Sequence, residues 1–113
     1  MTDTTKIKVD GNELELVPTL AALECLNKKY GDFANVLNGI NSLNFDTYID
    51  VIYVGVKKQL PSNEKERKET AQEIFNTGIV DLLAPVTEYI MLLLNGGRKI
   101  DPEEEQEATN PKI

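Results

Sequence analysis

The beginning of the chain alternates between apolar and charged residues. In the stretch IKVDGNELELV at 7–17, isoleucine and valine alternate with lysine, and two leucines alternate with glutamate. A period of two is typical of a β-strand with one buried face. Between the two runs lies Asp10-Gly11, a dipeptide that favours a two-residue hairpin turn. The pattern therefore predicts a β-hairpin with strands at 6–9 and 13–17, which must pack on other elements because an isolated hairpin is only marginally stable.

From Thr19 onward the apolar residues recur at helical spacing. Residues that favour helix N-caps precede these segments, and Asn63 with Glu66 forms a capping-box pattern. The predicted helices cover 20–30, 33–38, 45–60, 64–75 and 79–95. Gly39 is predicted to end the second helix. Pro85 either kinks the last helix or divides it into two.

Two of the predicted helices are apolar on more than one face. In the third, two valines lie off the stripe that the other apolar residues form. In the last, a first stripe contains Ile79, Leu82, Leu83, Val86, Ile90 and Leu93 or Leu94. A second stripe contains Val80, Ala84, Met91 and Leu92. Either these helices cross the centre of the domain, or one of their faces meets another chain.

The fourth predicted helix differs from the others because it is strongly polar. Its strong apolar anchors are Ala71, Ile74 and Phe75. Oppositely charged pairs four residues apart, such as Glu64 and Lys68, favour the helix in water. We expect a solvated outer helix that packs on the domain through the three apolar residues.

The composition is that of one globular domain. The chain has 113 residues, of which 41% are hydrophobic and 27% charged. We therefore predict a mostly α (α+β) domain over 1–97, in which the N-terminal hairpin packs on a compact bundle of about five short helices. Residues 98–113 are polar, contain two prolines and lack aromatic residues. They are predicted to form a disordered acidic tail.

The charge argues against several classes of partner. The net charge is −7, and residues 101–113 carry five acidic residues and one basic residue. We expect no nucleic-acid partner, because lysine and arginine supply most of that affinity, and no anionic membrane surface. The longest apolar run, at 90–94, is far shorter than a membrane span, and the first residues lack the apolar stretch of a signal peptide. These features predict a cytoplasmic protein.

The sequence offers few groups for catalysis or metal binding. It contains no histidine, the side chain that most often transfers protons near neutral pH and the commonest zinc ligand. Cys25 is the single cysteine and lies in an apolar helix, so we interpret it as a core residue and not a nucleophile. Walker, EF-hand and GxGxxG motifs are absent from the sequence. We therefore predict a protein that is not an enzyme and binds no cofactor or metal.

Ser42 suggests one alternative function. The tripeptide Asn41-Ser42-Leu43 is similar to the Asp-Ser-Leu site of acyl carrier proteins, in which the serine carries phosphopantetheine at a helix N-terminus. Here asparagine replaces the aspartate, and an apolar segment replaces the acidic recognition helix of carrier proteins. We prefer a structural role for Ser42 in the turn before the third helix. A small acidic carrier or adaptor protein remains an alternative.

Four segments, in their order and spacing, resemble a known family. They are the hairpin IKVDGNELELVPTL, the helix AALECLNKKYGDFANVLNGI, the middle helix FDTYIDVIYVGVKK and the end GIVDLLAPVTEYIMLLLNGG, which together span 7–97. The family is that of the small tail assembly chaperones of long-tailed bacteriophages and prophages, with relatives in gene transfer agents. The resemblance lies in order, spacing and length and not in a single motif.

The resemblance implies a non-enzymatic chaperone. Such a protein transiently binds the tape-measure protein, helps to recruit tail-tube proteins in the host cytoplasm, and is absent from the mature virion. We also expect self-association, as a homo-oligomer. As partner-binding residues we predict the second stripe of the last helix, Val80, Ala84, Met91 and Leu92. The alternative is a permanent structural protein of the tail or of the head-tail adaptor.

Overall fold

The computed structural model describes residues 3–56 and 63–98. Its elements are β1 (Thr5–Val9), β2 (Asn12–Leu16), α1 (Leu20–Tyr30), α2 (Phe33–Asn41), α3 (Phe45–Gly55), α4 (Glu64–Thr77) and α5 (Ile79–Leu94). This order confirms the predicted class, a mostly helical domain with an N-terminal hairpin packed on five helices. Helix α3 ends at Gly55 with Val56 as its C-cap, so the prediction that this helix continues to residue 60 is wrong at Val56. Residues 57–60 and the predicted disordered tail beyond Arg98 lie outside the described residues.

The hairpin forms as the alternation of residues predicts. The two strands are antiparallel, in a register that sets Ile7 opposite Leu14. Asp10 and Gly11 adopt positive φ values of 52° and 81°, as a two-residue turn of type I′ requires. On the outer face, two lysines of β1 stand opposite two glutamates of β2, which is a favourable cross-strand arrangement. The inner face packs on α4 and α5.

Val17, which follows β2, joins the hairpin to two helices. Its backbone N–H donates to the carbonyl oxygen of Gly55 at 2.8 Å, and its own carbonyl oxygen accepts from the hydroxyl of Tyr89 at 2.9 Å. A Cβ built on Gly55 would lie 2.7 Å from the Cδ2 of Leu16. The end of α3 can therefore approach β2 this closely only because Gly55 has no side chain.

Helix α3 runs through the centre of the domain. Every residue from Thr47 to Gly55 is buried, and α3 contacts β2 and the other four helices. Its sequence is apolar on all sides because the helix is covered on all sides. Tyr48 is fully buried and donates its hydroxyl proton to the carbonyl oxygen of Ile40 at 2.9 Å. Of the two alternatives predicted for this helix, a position across the centre of the domain is therefore the correct one.

Helix α2 continues past Gly39 to Asn41, so the predicted end at Gly39 is wrong. A Cβ built on Gly39 would lie 2.3 Å from the Oγ1 of Thr47 and 2.9 Å from its Cβ. Real Cβ atoms do not approach other atoms so closely. The glycine therefore permits close packing of α2 on α3 and does not end the helix.

Replacement of Gly39 by alanine is expected to lower the free energy of unfolding by about 1–3 kcal/mol, because the added methyl group overpacks the contact. Alanine has a higher helix propensity than glycine, so without a close contact the substitution would stabilise α2. A loss of stability therefore identifies the contact. Urea denaturation measures it. The control is Asn38→Ala, at an exposed position of the same helix, with an expected change below about 0.5 kcal/mol. A Gly39→Ala variant as stable as the wild type would show that no close contact limits this position.

Helix α4 is the polar outer helix that its sequence predicts. Asn63 caps it, since its Oδ1 accepts hydrogen bonds from two backbone N–H groups of the first turn at 2.8 and 3.2 Å. Ile74 is buried and Ala71 packs partly buried against the core. Phe75, in contrast, is 73% exposed. Its predicted role as an anchor is therefore wrong.

Helix α5 is continuous and contains Pro85, so a division into two helices at this proline is wrong. Pro85 has no N–H to donate to the carbonyl oxygen of Asp81. Asp81 is exposed, so water can satisfy that oxygen. The chain bends by 114° between α4 and α5, at Gly78, whose φ is 93°.

Candidate functional site

One side of α5 presents apolar side chains at the surface. Val80 is 69% exposed, Met91 40% and Leu94 47%, and Ala84 is exposed as well. Because a helix turns by about 100° per residue, these four positions fall within an arc of about 80° and extend over about 21 Å. We call these four residues the α5 stripe. Most of the other residues of α5 are buried or partly buried, so this helix leaves one apolar face exposed at the surface.

Leu92 does not belong to the α5 stripe, and its prediction as an exposed contact residue is wrong. Its side chain is only 2% exposed. It follows Met91 directly, and a rotation of about 100° turns it toward the inside of the domain. Of the four predicted partner-binding residues, Val80, Ala84 and Met91 are thus at the surface and Leu92 is in the core. That the exposed three bind a partner stays a prediction.

The structure also exposes two apolar residues that the sequence analysis placed in packed positions. Leu93 and Leu94 were alternatives for the end of the first stripe, and Leu93 is the correct one because it is buried. Leu94 lies three residues after Met91 and therefore on the same side of α5. Phe75 lies in the last turn of α4, before the bend that leads to Val80. It follows the buried Ile74 directly, so the two side chains point in different directions. Adjacent residues of a helix differ by about 100° in direction. Counting these angles along the sequence would have separated Ile74 from Phe75, and Leu93 from Leu94.

Acidic side chains border the α5 stripe. Asp81 and Glu88 are exposed and lie on the same side of the helix, about 80–100° from the centre of the stripe. The sequence of α5 contains no lysine or arginine. An apolar surface with an acidic border favours a partner helix whose own apolar stripe is flanked by basic residues.

A cleft of about 260 Å³ lies beside the end of α5. It is lined by Leu20 and Leu23 of α1, by Leu93, and by Gly96 and Gly97 after the helix. The side chain of Leu20 is 68% exposed. Apolar surface is therefore also present between the start of α1 and the end of α5.

Asp50 of α3 is fully buried and is surrounded by polar side chains from two other helices. The hydroxyl of Tyr30 donates to its Oδ2 at 2.6 Å, and the Nζ of Lys29 lies 2.7 Å from the same oxygen. Arg67 of α4 donates to its Oδ1 at 2.5 Å and also reaches the Oδ1 of Asp46 at 3.3 Å. One carboxylate thus links α1, α3 and α4. We call Asp50, Lys29, Tyr30 and Arg67 the Asp50 cluster.

The Asp50 cluster links the three helices through a carboxylate that is itself inaccessible to solvent. Burial, which is the largest cause, and the hydrogen bond to Asp50 raise the pKa of Tyr30 to about 12. The hydroxyl therefore remains protonated at neutral pH and keeps donating. The side chain of Asp50 is 0% exposed, and two cations compensate its charge. The sequence alone did not predict this cluster, because its members come from three different helices. No pattern of neighbouring residues indicates that Asp50 forms ion pairs with distant lysine and arginine side chains.

The structure places Cys25 and Ser42, the two residues considered for chemistry, at the edge of the core and between two helices. Cys25 is partly buried and packs against the core. Ser42 is the C-cap of α2, and its Oγ lies 3.3 Å from the carbonyl oxygen of Gly39. Ser42 lies two residues before Asn44, the N-cap of α3, and so outside the first turn of that helix. Within 3–56 and 63–98, no group of three or more cysteine, aspartate or glutamate residues could hold a metal ion.

Comparison with known proteins gives no match: no protein-family model, no curated protein and no solved structure is similar to this chain. In the part of the chain that the structure describes, no single helix has the length and apolar character to cross a membrane. Helices α4 and α5 meet those criteria only as a pair, which is bent by 114°.

Proposed function

We propose that this chain is a non-enzymatic tail assembly chaperone of a long-tailed phage or prophage. It transiently binds the tape-measure protein, helps to recruit tail-tube subunits in the host cytoplasm, and leaves before the virion is complete. The observation that carries the proposal is the α5 stripe, an apolar helix face with an acidic border at the surface of a folded domain. The ordered resemblance over 7–97 supports it independently.

The size of the α5 stripe suits a reversible contact with a helix. A tape-measure protein is long and helical, and it exposes apolar stripes until the tube encloses it. The α5 stripe is about 21 Å long and matches about four turns of such a helix. Four apolar side chains on one helix form a small interface, and small interfaces bind weakly. Weak binding is what a chaperone needs if tube subunits are to displace it.

The acidic charge fits many copies acting along one partner. A net charge of −7 opposes nonspecific association and binding to nucleic acid. Two α5 stripes packed antiparallel would bring Asp81 and Glu88 of both copies together, which is unfavourable. We therefore assign the α5 stripe to the partner, and place the proposed self-association on another surface.

Deletion of the gene in its phage or prophage tests this function. We expect the deletion to abolish tail formation, and expression of the chain from a plasmid to restore it. An affinity-tagged copy is expected to copurify with the tape-measure protein from cells in which tails assemble. Normal tails in the deletion strain, together with no copurification, would contradict the proposal.

Mass spectrometry of purified virions separates the alternatives. A chaperone is expected to be absent from particles that contain the tape-measure and tube proteins. Presence of the chain in fixed proportion to the tube protein would instead identify a permanent structural component. An intact mass increased by one phosphopantetheine group on Ser42 would identify a carrier protein.

A further inference from the structure

The outer edge of β1 is a second surface, separate from the α5 stripe. Within 3–56 and 63–98 the hairpin is a two-stranded sheet, so in this part of the chain each strand has one edge without a neighbouring strand. The residue pair next to a two-residue turn is hydrogen-bonded, and antiparallel pairs alternate from there. The pairs Lys8–Glu13 and Lys6–Glu15 are therefore not hydrogen-bonded to each other. The backbone N–H and C=O groups of Lys6 and Lys8 consequently point away from β2.

These backbone groups face an open groove. The groove has a volume of about 520 Å³ and is lined by Lys6, Ile7 and Lys8 on one side and by Leu82 and Pro85 on the other. Successive side chains of a strand point to opposite faces, so three consecutive residues can line one groove only along the edge of the strand. Among the described residues, no third segment forms backbone hydrogen bonds with this edge.

We propose that the β1 edge binds an extended segment of a partner polypeptide as a third strand. The outward N–H and C=O groups supply main-chain hydrogen bonds, and the flanking side chains select the sequence. The partner carries acidic residues on the face of Lys6 and Lys8 and apolar residues on the face of Leu82 and Pro85. Strand β2 has the same alternation of glutamate and leucine and already pairs with the other edge of β1.

The charges in the groove restrict the register of the partner strand. Asp10 and Asp81 also line the groove, and Asp10 accepts a hydrogen bond from the Nδ2 of Asn76 at 3.2 Å. An acidic residue of the partner is therefore favoured beside Lys6 and Lys8 and disfavoured beside the two aspartates. This requirement fixes which residues of the partner lie opposite the two lysines.

Pairing between the β1 edges of two copies of this chain is unfavourable. Antiparallel pairing of two β1 edges would place the lysines of one copy opposite those of the other. Like charges in directly opposed positions are destabilising, and lysines on edge strands commonly prevent such pairing. The proposed occupant is a different polypeptide of acidic and apolar alternation. Strand β2 of a second copy has this alternation as well, so sedimentation of the chain alone is part of the test. A concentration-dependent dimer that slows exchange at Lys6 and Lys8 would overturn the proposal. The proposal does not depend on the chaperone function, since the α5 stripe takes no part in it.

The test uses the full chain and a peptide with the sequence of residues 12–17, Asn-Glu-Leu-Glu-Leu-Val, with blocked ends. Hydrogen exchange of the backbone amides is followed by NMR spectroscopy. In the free protein we expect fast exchange at Lys6 and Lys8 and slow exchange at Ile7, whose N–H points toward β2. Peptide at ten times its Kd is expected to slow exchange at both lysines about tenfold.

Three controls test the chemistry of the site. A peptide with lysine in place of both glutamates is expected to bind at least about tenfold more weakly, because its charges repel Lys6 and Lys8. Lys8→Pro removes one outward donor of the β1 edge, and Glu13→Pro removes its counterpart on the opposite edge. Because Lys8→Pro also removes one of the two lysine charges, we expect at least about fivefold weaker binding for it, from the loss of about one net hydrogen bond and one charge contact. We expect unchanged binding for Glu13→Pro. Thermal unfolding verifies that both variants fold.

Several results would overturn the proposal. Slow exchange at Lys6 and Lys8 in the free protein would show that the edge is already covered by the chain itself. Unchanged exchange in the presence of excess peptide would show that the edge binds no strand. If the peptide with lysine in place of both glutamates binds as tightly as the original peptide, the edge does not select acidic residues, and the proposed acidic partner is contradicted. The first two measurements use the wild-type chain, so they decide the matter even if a proline variant fails to fold.

Discussion

Replacement of Asp50 by alanine is expected to lower the free energy of unfolding by about 3–5 kcal/mol, as breaking a buried ion pair does. The change removes the acceptor of Tyr30 and both ion pairs of a fully buried carboxylate. Arg67, whose side chain is only 26% exposed, would keep a charge without its main partner. A domain of this size has about 5–15 kcal/mol of stability in total. Urea denaturation followed by circular dichroism measures the loss.

Asp46→Ala is the matched control for this prediction. Asp46 pairs with the same arginine at 3.3 Å, but its side chain is 75% exposed. Exposed ion pairs contribute at most about 1 kcal/mol, so we expect a change in the free energy of unfolding below that value. Equal losses for Asp46→Ala and Asp50→Ala would show that the Asp50 cluster does not hold α1, α3 and α4 together.

Aspartate is expected to change the free energy of unfolding by very different amounts at two adjacent positions of α5. Leu92→Asp buries an unpaired charge at a position that is 2% exposed, and we expect it to lower the free energy of unfolding by about 4 kcal/mol or more. Met91→Asp places the same charge at a position that is 40% exposed. There we expect a change within about 0.5 kcal/mol. Thermal and urea denaturation of both variants measure the difference.

This pair of variants locates the boundary between the α5 stripe and the core. Both substitutions introduce the same side chain into the same helical turn, so helix propensity and net charge change equally. If Met91→Asp unfolds the domain, Met91 belongs to the core and the α5 stripe is shorter than described. If Leu92→Asp is tolerated, the inner side of α5 is not packed as the structure has it.

Features determined by neighbouring residues could be predicted from the sequence. The Asp10-Gly11 turn, the alternation around it and the cap of α4 by Asn63 all depend on residues close in the chain. The start and end of α1 at Leu20 and Tyr30 agree with the prediction for the same reason. The mostly helical class follows from these local features.

Features that depend on distant residues were missed or misjudged. Gly39 has the appearance of a helix stop, yet its role depends on Thr47 of the next helix. The partners of Asp50 are 17 to 21 residues away in the chain. Phe75 is apolar but is left at the surface because Ile74 takes the inward direction in α4. Apolar character alone does not tell which side of a helix is covered.

The central claim is that the α5 stripe binds a helical partner. The most direct test is titration calorimetry of the full chain with the purified tape-measure protein. We expect the double variant Val80→Asp and Met91→Asp to bind at least about 100-fold more weakly than the wild type. Leu43→Asp, at a position as exposed as Met91 but outside α5, is expected to bind like the wild type. A folded double variant with unchanged affinity would contradict the claim.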